Sequence, residues 1–394
     1  MPPNFSALLE RYRSELLDRV VPFWMKYGID WQNGGINTCI TDDGRILSED
    51  KYVWSQLRAV WTFSALYNMI EPRQEWLDVA THIFNFIKRC GRNDKGEWLF
   101  CLAKDGTPRF DGATSIYCDG FAIYGFTEFA KAAGNQEAIA CARATYASAR
   151  QRLARPGSYQ THPLPIPPGL KAHGISMIFA LAFDALGHYL NETEIIGAGL
   201  AHANQVMDVF LRPEQKRLYE FVRLDDSLMD APPGRAVNPG HAIESMWFMT
   251  HIFQRHAPRN AERIRQAIDA IRWHVELGWD DEYGGIVLAR DAEGSFWEKN
   301  ADAKIWWPHT EALYALLLAY SISKEDWCLE WFKRVHDYAF SHFPVPQYGE
   351  WIQNLDRQGN KLNAAIALPV KDPFHLARAL IYSVGVLKAL ESGD

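Results

Sequence analysis

Residues 35–44, Gly-Ile-Asn-Thr-Cys-Ile-Thr-Asp-Asp-Gly, make a short apolar-alternating run closed by an acidic residue and a glycine. Alternation ending in Asp-Gly is a β-hairpin signal, because glycine supplies the turn's unusual backbone angles at no steric cost. The layout returns as Glu97-Trp98 with Asp105-Gly106, Gly285-Ile286 with Glu293-Gly294, and Glu350-Trp351 with Gln358-Gly359. In every copy the glycine falls nine positions after the first residue, and the copies are 62 residues apart in the first pair and 65 in the last. Such a spacing, about one sixth of the chain, marks a repeat architecture.

Between these runs the sequence has helical periodicity over residues 52–69, 115–133, 175–189, 241–253, 310–320 and 375–390. The unit reads as an outer helix, an inner helix and a connecting hairpin, and six units close a ring. The expected fold is all-α, an (α/α)6 toroid or barrel with short β-hairpins between helices, forming a single domain over residues 1–394. The proline-rich stretch at 162–168 is too short for a linker and falls at a unit junction. An open solenoid would need polar capping repeats, whereas the last unit here carries as much polar signature as the first, which favours closure.

With 48% hydrophobic and 23% charged residues, the 394-residue chain has ample material for a packed core. Its net charge of −7 and the lack of a dense Lys/Arg block argue against a nucleic-acid partner. No stretch is long and apolar enough for a membrane span, and the N-terminal residues lack the uninterrupted apolar core of a signal peptide, so a cytoplasmic location is expected. The six cysteines, Cys39, Cys90, Cys101, Cys118, Cys141 and Cys328, include no CxxC pair and read as buried free thiols. Aromatic residues reach 13%, most of them expected in the core and a minority beside a ligand, since sugar C–H faces pack well on aromatic rings.

The polar signatures cluster near the starts of the periodic segments. They are Tyr52, Trp54, Gln56 and Arg58; Asp119; Asn238, His241 and Glu244; Trp307, His309 and Glu311; and His375 and Arg378. In a ring of parallel inner helices these starts share one mouth, where helix N-termini favour negative charge. His241 with Glu244, and His375 with Arg378, are three apart and so share a helix face. The set His241, Glu244, His309, Glu311 and His375 contains metal-ligand types, but no HExxH spacing accompanies it and Arg58 and Arg378 oppose a cation, so no metal is expected. Nucleophile and nucleotide-loop motifs are missing too.

Through KYVWSQLRAVW, NPGHAIESMW, DAKIWWPHTEA, YGEWIQNLDRQG and FHLAR, which span residues 51–378, the sequence resembles the N-acylglucosamine 2-epimerase family, with its cellobiose 2-epimerase, mannose 2-epimerase and aldose–ketose isomerase relatives. The resemblance implies an (α/α)6 barrel without a redox cofactor, with ATP in some members as an effector that is not consumed. It implies that His241 and His375 are the acid/base pair, that Arg58 holds the sugar oxygens at C1 and C2, and that Glu244 and Glu311 assist ring opening or orient the histidines. Arg378 would belong to the same cluster, with Trp307 and His309 lining the site. The segment from Leu368 to Arg378 departs from N-acylglucosamine-specific members, and Met177 stands where cellobiose epimerases and isomerases tend to have a further histidine.

Two histidines suit C2 inversion, because one face must lose a proton and the other gain one, and an imidazole populates both protonation states near neutral pH. The expected function is thus a sugar 2-epimerase working through a cis-enediolate, on N-acetylglucosamine/N-acetylmannosamine or on glucose/mannose. An aldose–ketose isomerase differs only in the carbon that receives the proton. An (α/α)6 glycoside hydrolase using a carboxylate pair such as Asp119 with Glu244 or Glu311, and a non-catalytic sugar- or protein-binding module, are the alternatives from other classes. The expected partner is a small-molecule sugar, and the outer helices are compatible with a homodimer.

Overall fold

A computed structural model describes residues 3–155, 157–256, 260–295, 300–362, 365–367 and 371–393. Leu368, Pro369 and Val370, part of the departing segment noted above, lie outside the described residues. Twelve helices follow one another: α1 (5–28), α2 (Val53–Ala65), α3 (Gln74–Cys90), α4 (Ile116–Ala133), α5 (Gln136–Leu153), α6 (His173–Leu190), α7 (Thr193–Gln205), α8 (Pro239–Arg255), α9 (Ala261–Gly278), α10 (Trp306–Ser323), α11 (Asp326–His342) and α12 (His375–Ser392). The even-numbered helices pack side by side in the order α2, α4, α6, α8, α10, α12, and α12 returns to α2. Each odd-numbered helix lies against an even-numbered one, which gives the (α/α)6 ring.

Burial separates the two layers. In α3 the buried residues Trp76, Val79, Ala80, Ile83, Phe84 and Ile87 form one stripe at helical spacing, so the other face meets solvent. In α6 every residue from His173 to Gly187 is buried, because the inner layer has neighbours on all sides. The seam closes through Thr62, whose hydroxyl donates to the Pro373 carbonyl at 2.8 Å, and through Trp61, which meets the Phe374 and Tyr382 rings edge-on. Helix α1 does not pack chiefly on α2, its neighbour in sequence. It lies on α12, so the outer partner of the last inner helix comes from the start of the chain.

All four turn glycines adopt left-handed angles, with φ of 86° at Gly44, 92° at Gly106, 98° at Gly294 and 91° at Gly359. In each, the glycine N–H donates to the carbonyl three residues back, at Thr41, Ala103, Asp291 and Asp356. Around Gly44 the hairpin is local, with Cys39–Thr41 pairing with Ile46–Ser48, and single bridges span the Gly106 and Gly359 turns, but other strands pair across units. Lys51–Tyr52 pairs with Cys101–Leu102, Leu170–Ala172 with Phe221–Arg223, Ala236–Val237 with Arg290–Asp291, and Lys304–Ile305 with Asn354–Leu355. The strand leading into an inner helix therefore binds the hairpin region of the following unit, and residues 365–367 pair with Cys39–Thr41 to join last unit to first. A related turn at 223–227 escapes the sequence pattern because Asp226, at φ 71°, stands where the others have glycine.

All six cysteines are free; Cys101, Cys118 and Cys328 are buried, while Cys39, Cys90 and Cys141 are only half-buried. Among the described residues no helix is long and apolar enough to cross a membrane.

Candidate active site

The first turns of α8, α10 and α12 converge. Asn238 caps α8, its side-chain oxygen accepting the His241 N–H at 3.1 Å, and Pro239 follows at the first helical position, where its missing N–H costs nothing. Gly240 admits the Trp307 ring, since a Cβ there would lie 2.7 Å from that ring. Trp307 stands beside both histidines, its ring centroid 5.0 Å from that of His241 and 5.5 Å from that of His375.

Each histidine is held at Nδ1 by a carboxylate. His241 Nδ1 lies 3.1 and 3.2 Å from the two oxygens of Glu220, and His375 Nδ1 lies 2.7 Å from Glu311. A proton on Nδ1 satisfies both contacts and leaves each Nε2 for a ligand. The carboxylate at His241 is not Glu244, three residues along its own helix. Glu244 instead binds Arg378, which also donates to Glu311 at 2.8 Å, and Glu311 accepts the Trp247 indole N–H at 2.8 Å. Glu244, Glu311 and His375 are close enough together for a cation, but the Arg378 guanidinium bridges both carboxylates and itself supplies the positive charge between them.

The two imidazoles are driven in opposite directions. Burial pulls the His375 pKa well below the ordinary value; Glu244 opposes this, while Arg58 and Arg378 reinforce it. Burial also acts downward on His241, but the Glu220 carboxylate outweighs it and raises the pKa. Glu220, enclosed with His241 and His173, is itself held strongly to the ionised side: burial favours its neutral acid, and the two imidazoles overcome that. Around neutral pH the surroundings thus favour a neutral ring at His375 and a protonated one at His241.

Arg58 lies within electrostatic reach of both histidines. Its guanidinium stacks over Phe121 at 4.1 Å and Phe374 at 5.2 Å, and its nearest anion, Asp372, is 3.6 Å away, beyond a good hydrogen bond. Tyr52 and Trp54 both meet Phe100 edge-on, and each side chain is half-buried.

Three residues expected to line a sugar are engaged elsewhere. His309 donates from Nδ1 to the Ile305 carbonyl at 2.7 Å and accepts the Ile286 N–H at Nε2 at 2.8 Å, leaving no ring nitrogen for a ligand. Gln56 does the same for Ile36, accepting its N–H at 2.7 Å and donating to its carbonyl at 2.9 Å. Asp119 turns its carboxylate to Arg152 of outer helix α5, which leaves the carboxylate pairing of a glycoside hydrolase without that member. Asn238 acts on His241 through the helix cap.

Glu220 and His173 were not among the sequence candidates. Glu220 stands just before the strand Phe221–Arg223, and its carbonyl accepts the His173 N–H at 3.0 Å, while His173 Nε2 contacts the Ser245 hydroxyl at 2.5 Å. Its only sequence signal is an acidic residue between Tyr219 and Phe221. A cavity of about 1280 Å³ walled by the 157–171 loop, α6 and α7 is lined by neither His241, His375 nor Arg58.

The sequence and the fold both match known proteins. Residues 34–379 match the family model of N-acylglucosamine 2-epimerase (GlcNAc 2-epimerase). An N-acylglucosamine 2-epimerase of Mus musculus is 31% identical over 95% of this chain and 90% of its own. A cellobiose 2-epimerase from Bacillus thermoamylovorans B4167 superposes with a TM-score of 0.84 at 19% identity, covering 96% of this chain and 99% of that one. A D-mannose isomerase superposes at 0.83 with 18% identity, over 98% and 99% of the two chains. The ring, its paired histidines and these matches lead to one conclusion: the chain belongs to the N-acylglucosamine 2-epimerase family and is a sugar 2-epimerase.

Proposed function

We propose that the protein interconverts N-acetylglucosamine and N-acetylmannosamine by proton transfer between His375, His241 and C2 of the open-chain sugar. The observation that carries the mechanism is the opposed tuning of two histidines beside one tryptophan, each fixed at Nδ1 by its own carboxylate. The choice of sugar rests on the mouse relative, whose identity over nearly the whole chain exceeds that of the solved structures.

In the forward step, neutral His375 Nε2 takes the C2 proton and the C2–H electron pair moves into the C1–C2 bond, placing negative charge on O1. Arg58, with donors left over from Asp372, faces that cis-enediolate, where such groups are worth about 3 to 4 kcal/mol. Protonated His241 returns a proton from Nε2 to the opposite face of C2, inverting it. The hydrogen leaves and returns as a proton, so the reaction requires no redox cofactor. Glu244, Glu311 and Arg378 hold His375 in place through a buried cluster of two carboxylates and one guanidinium, whose net negative charge favours the proton that His375 takes up.

Proton NMR in D2O with N-acetylmannosamine, N-acetylglucosamine, mannose, glucose and fructose supplied separately is the test. Deuterium at C2 together with the C2 epimer of an N-acetylhexosamine is the expected outcome. Turnover of glucose and mannose alone would reassign the substrate, deuterium at C1 of fructose would make the protein an isomerase, and no exchange with any sugar would overturn the mechanism.

A further inference from the structure

A second cluster of metal-ligating side chains lies far from the first turns, where α6 ends and α8 gives way to its cap. Asp184 and His188 are one helical turn apart on α6, and His256 caps α8. Asp184 Oδ1 is 3.3 Å from His188 Nε2 and 3.3 Å from His256 Nε2, and the two Nε2 atoms are 3.4 Å apart. All three sides of this triangle are longer than a good N–H···O bond. Three ligands of a tetrahedral zinc ion, at about 2.0 to 2.1 Å from the metal, stand about 3.3 to 3.4 Å from one another.

We propose that Asp184, His188 and His256 bind a divalent transition-metal ion of the zinc type, through one carboxylate oxygen and two imidazole Nε2 atoms. The rest of the cluster suits that arrangement. Arg255 occupies the other carboxylate oxygen, Oδ2, and so fixes Oδ1 toward the imidazoles. Asp184 is held rigidly: Gly199 of α7 packs so closely that a Cβ there would lie 2.8 Å from the Asp184 nitrogen. Its side chain is fully buried, while His188 is 35% and His256 18% exposed, so the open side gives an ion a route in and leaves room for a water as fourth ligand. Two imidazoles and one carboxylate match the preferences of Zn2+ and Co2+ better than those of Mg2+ or Ca2+, which favour all-oxygen sites. The ion would clamp α6 to α8 at the end of the ring opposite the first turns, with one coordination position left to water.

Chelator-treated full-length protein titrated with Co2+ tests this, because four-coordinate Co2+ has intense visible bands. One equivalent should bind in the wild type and in His375→Asn, with affinity at least tenfold weaker in His188→Gln and in His256→Gln. Zn2+ should displace the bands and raise the melting temperature of the wild type but not of those two variants. If either variant fails to fold, ring resonances shifted by Co2+ in the wild type count the ligands: two imidazoles support the site, whereas one imidazole points to Glu244, Glu311 and His375 and overturns it. An absence of bands, bands that survive loss of both His188 and His256, or bands lost only in His375→Asn would overturn it equally.

Discussion

At the scale of single residues, Glu220 decides the chemistry of His241. Removing its charge as Glu220→Gln takes away most of what raises the His241 pKa, leaving burial and Arg58, which lower it, against Glu244 alone. The alkaline limb of kcat/KM, which follows loss of the His241 proton, should therefore move to lower pH, while the acid limb, set by His375, stays in place. A pH–rate profile checks this, and an unmoved alkaline limb would remove His241 from the role of acid. The residues most legible in the sequence were His241, His375, Arg58, Glu311 and Arg378, which all stand near helix starts that the repeat brings together. Glu220 was hidden because its relation to His241 depends on strand pairing between Phe221–Arg223 and Leu170–Ala172, and no spacing within one helix encodes that. His309 and Gln56 misled for a related reason. Both sit at helix starts, where a polar side chain serves equally well to receive a sugar or to satisfy the backbone of a neighbouring turn, and here they serve Ile286 and Ile36.

At the scale of elements, the first turns of α8, α10 and α12 combine structural and chemical tasks. Asn238→Ala should cost about 1 kcal/mol of stability through the lost cap, and it should lower turnover as well, because the same hydrogen bond positions the His241 backbone. Urea melts and steady-state kinetics on one preparation measure both effects; a stability loss with full turnover would confine Asn238 to capping. Periodicity gave the inner helices but trimmed their starts: α6 begins at His173, α8 at Pro239 and α10 at Trp306, each ahead of its expected first residue. The polar and proline residues there weaken an apolar pattern while fitting the first turn well. The hairpin turns were legible, and so was the local pairing around Gly44, but pairing across units was not, since it joins segments that are distant in sequence.

At the scale of the whole molecule, a thickly packed interior, on the inner helices and beneath the outer ones, keeps several histidines neutral. Burial lowers His309 to about 3 and His274 and His336 to about 4, against about 6.5 in an unfolded chain. The stability these groups lend is complete above pH 6.5 and is lost as the pH falls toward 4, where the unfolded chain takes up protons that the folded one refuses. The urea midpoint should fall steeply between pH 7 and pH 4.5, and a flat profile would contradict their burial as neutral rings. Closure of the ring was legible from the even weight of the repeats. Its seam was not, because nothing in the repeat says which outer helix serves α12.

That seam has a consequence for how the protein comes into being. On a ribosome α1 emerges ahead of the other helices of the ring, yet the helix it covers emerges after all of them. Until the last quarter of the ring emerges the apolar face of α1 has no native partner, and its bonds across the seam, from the Trp351 indole to Glu15 at 2.7 Å and between the Tyr12 hydroxyl and His336 at 3.0 Å, cannot form. Vectorial synthesis can assemble an open arc of helices, but the ring must lock in a late, long-range step, slowed by the entropy of bringing distant segments together and exposed to chaperones while it waits.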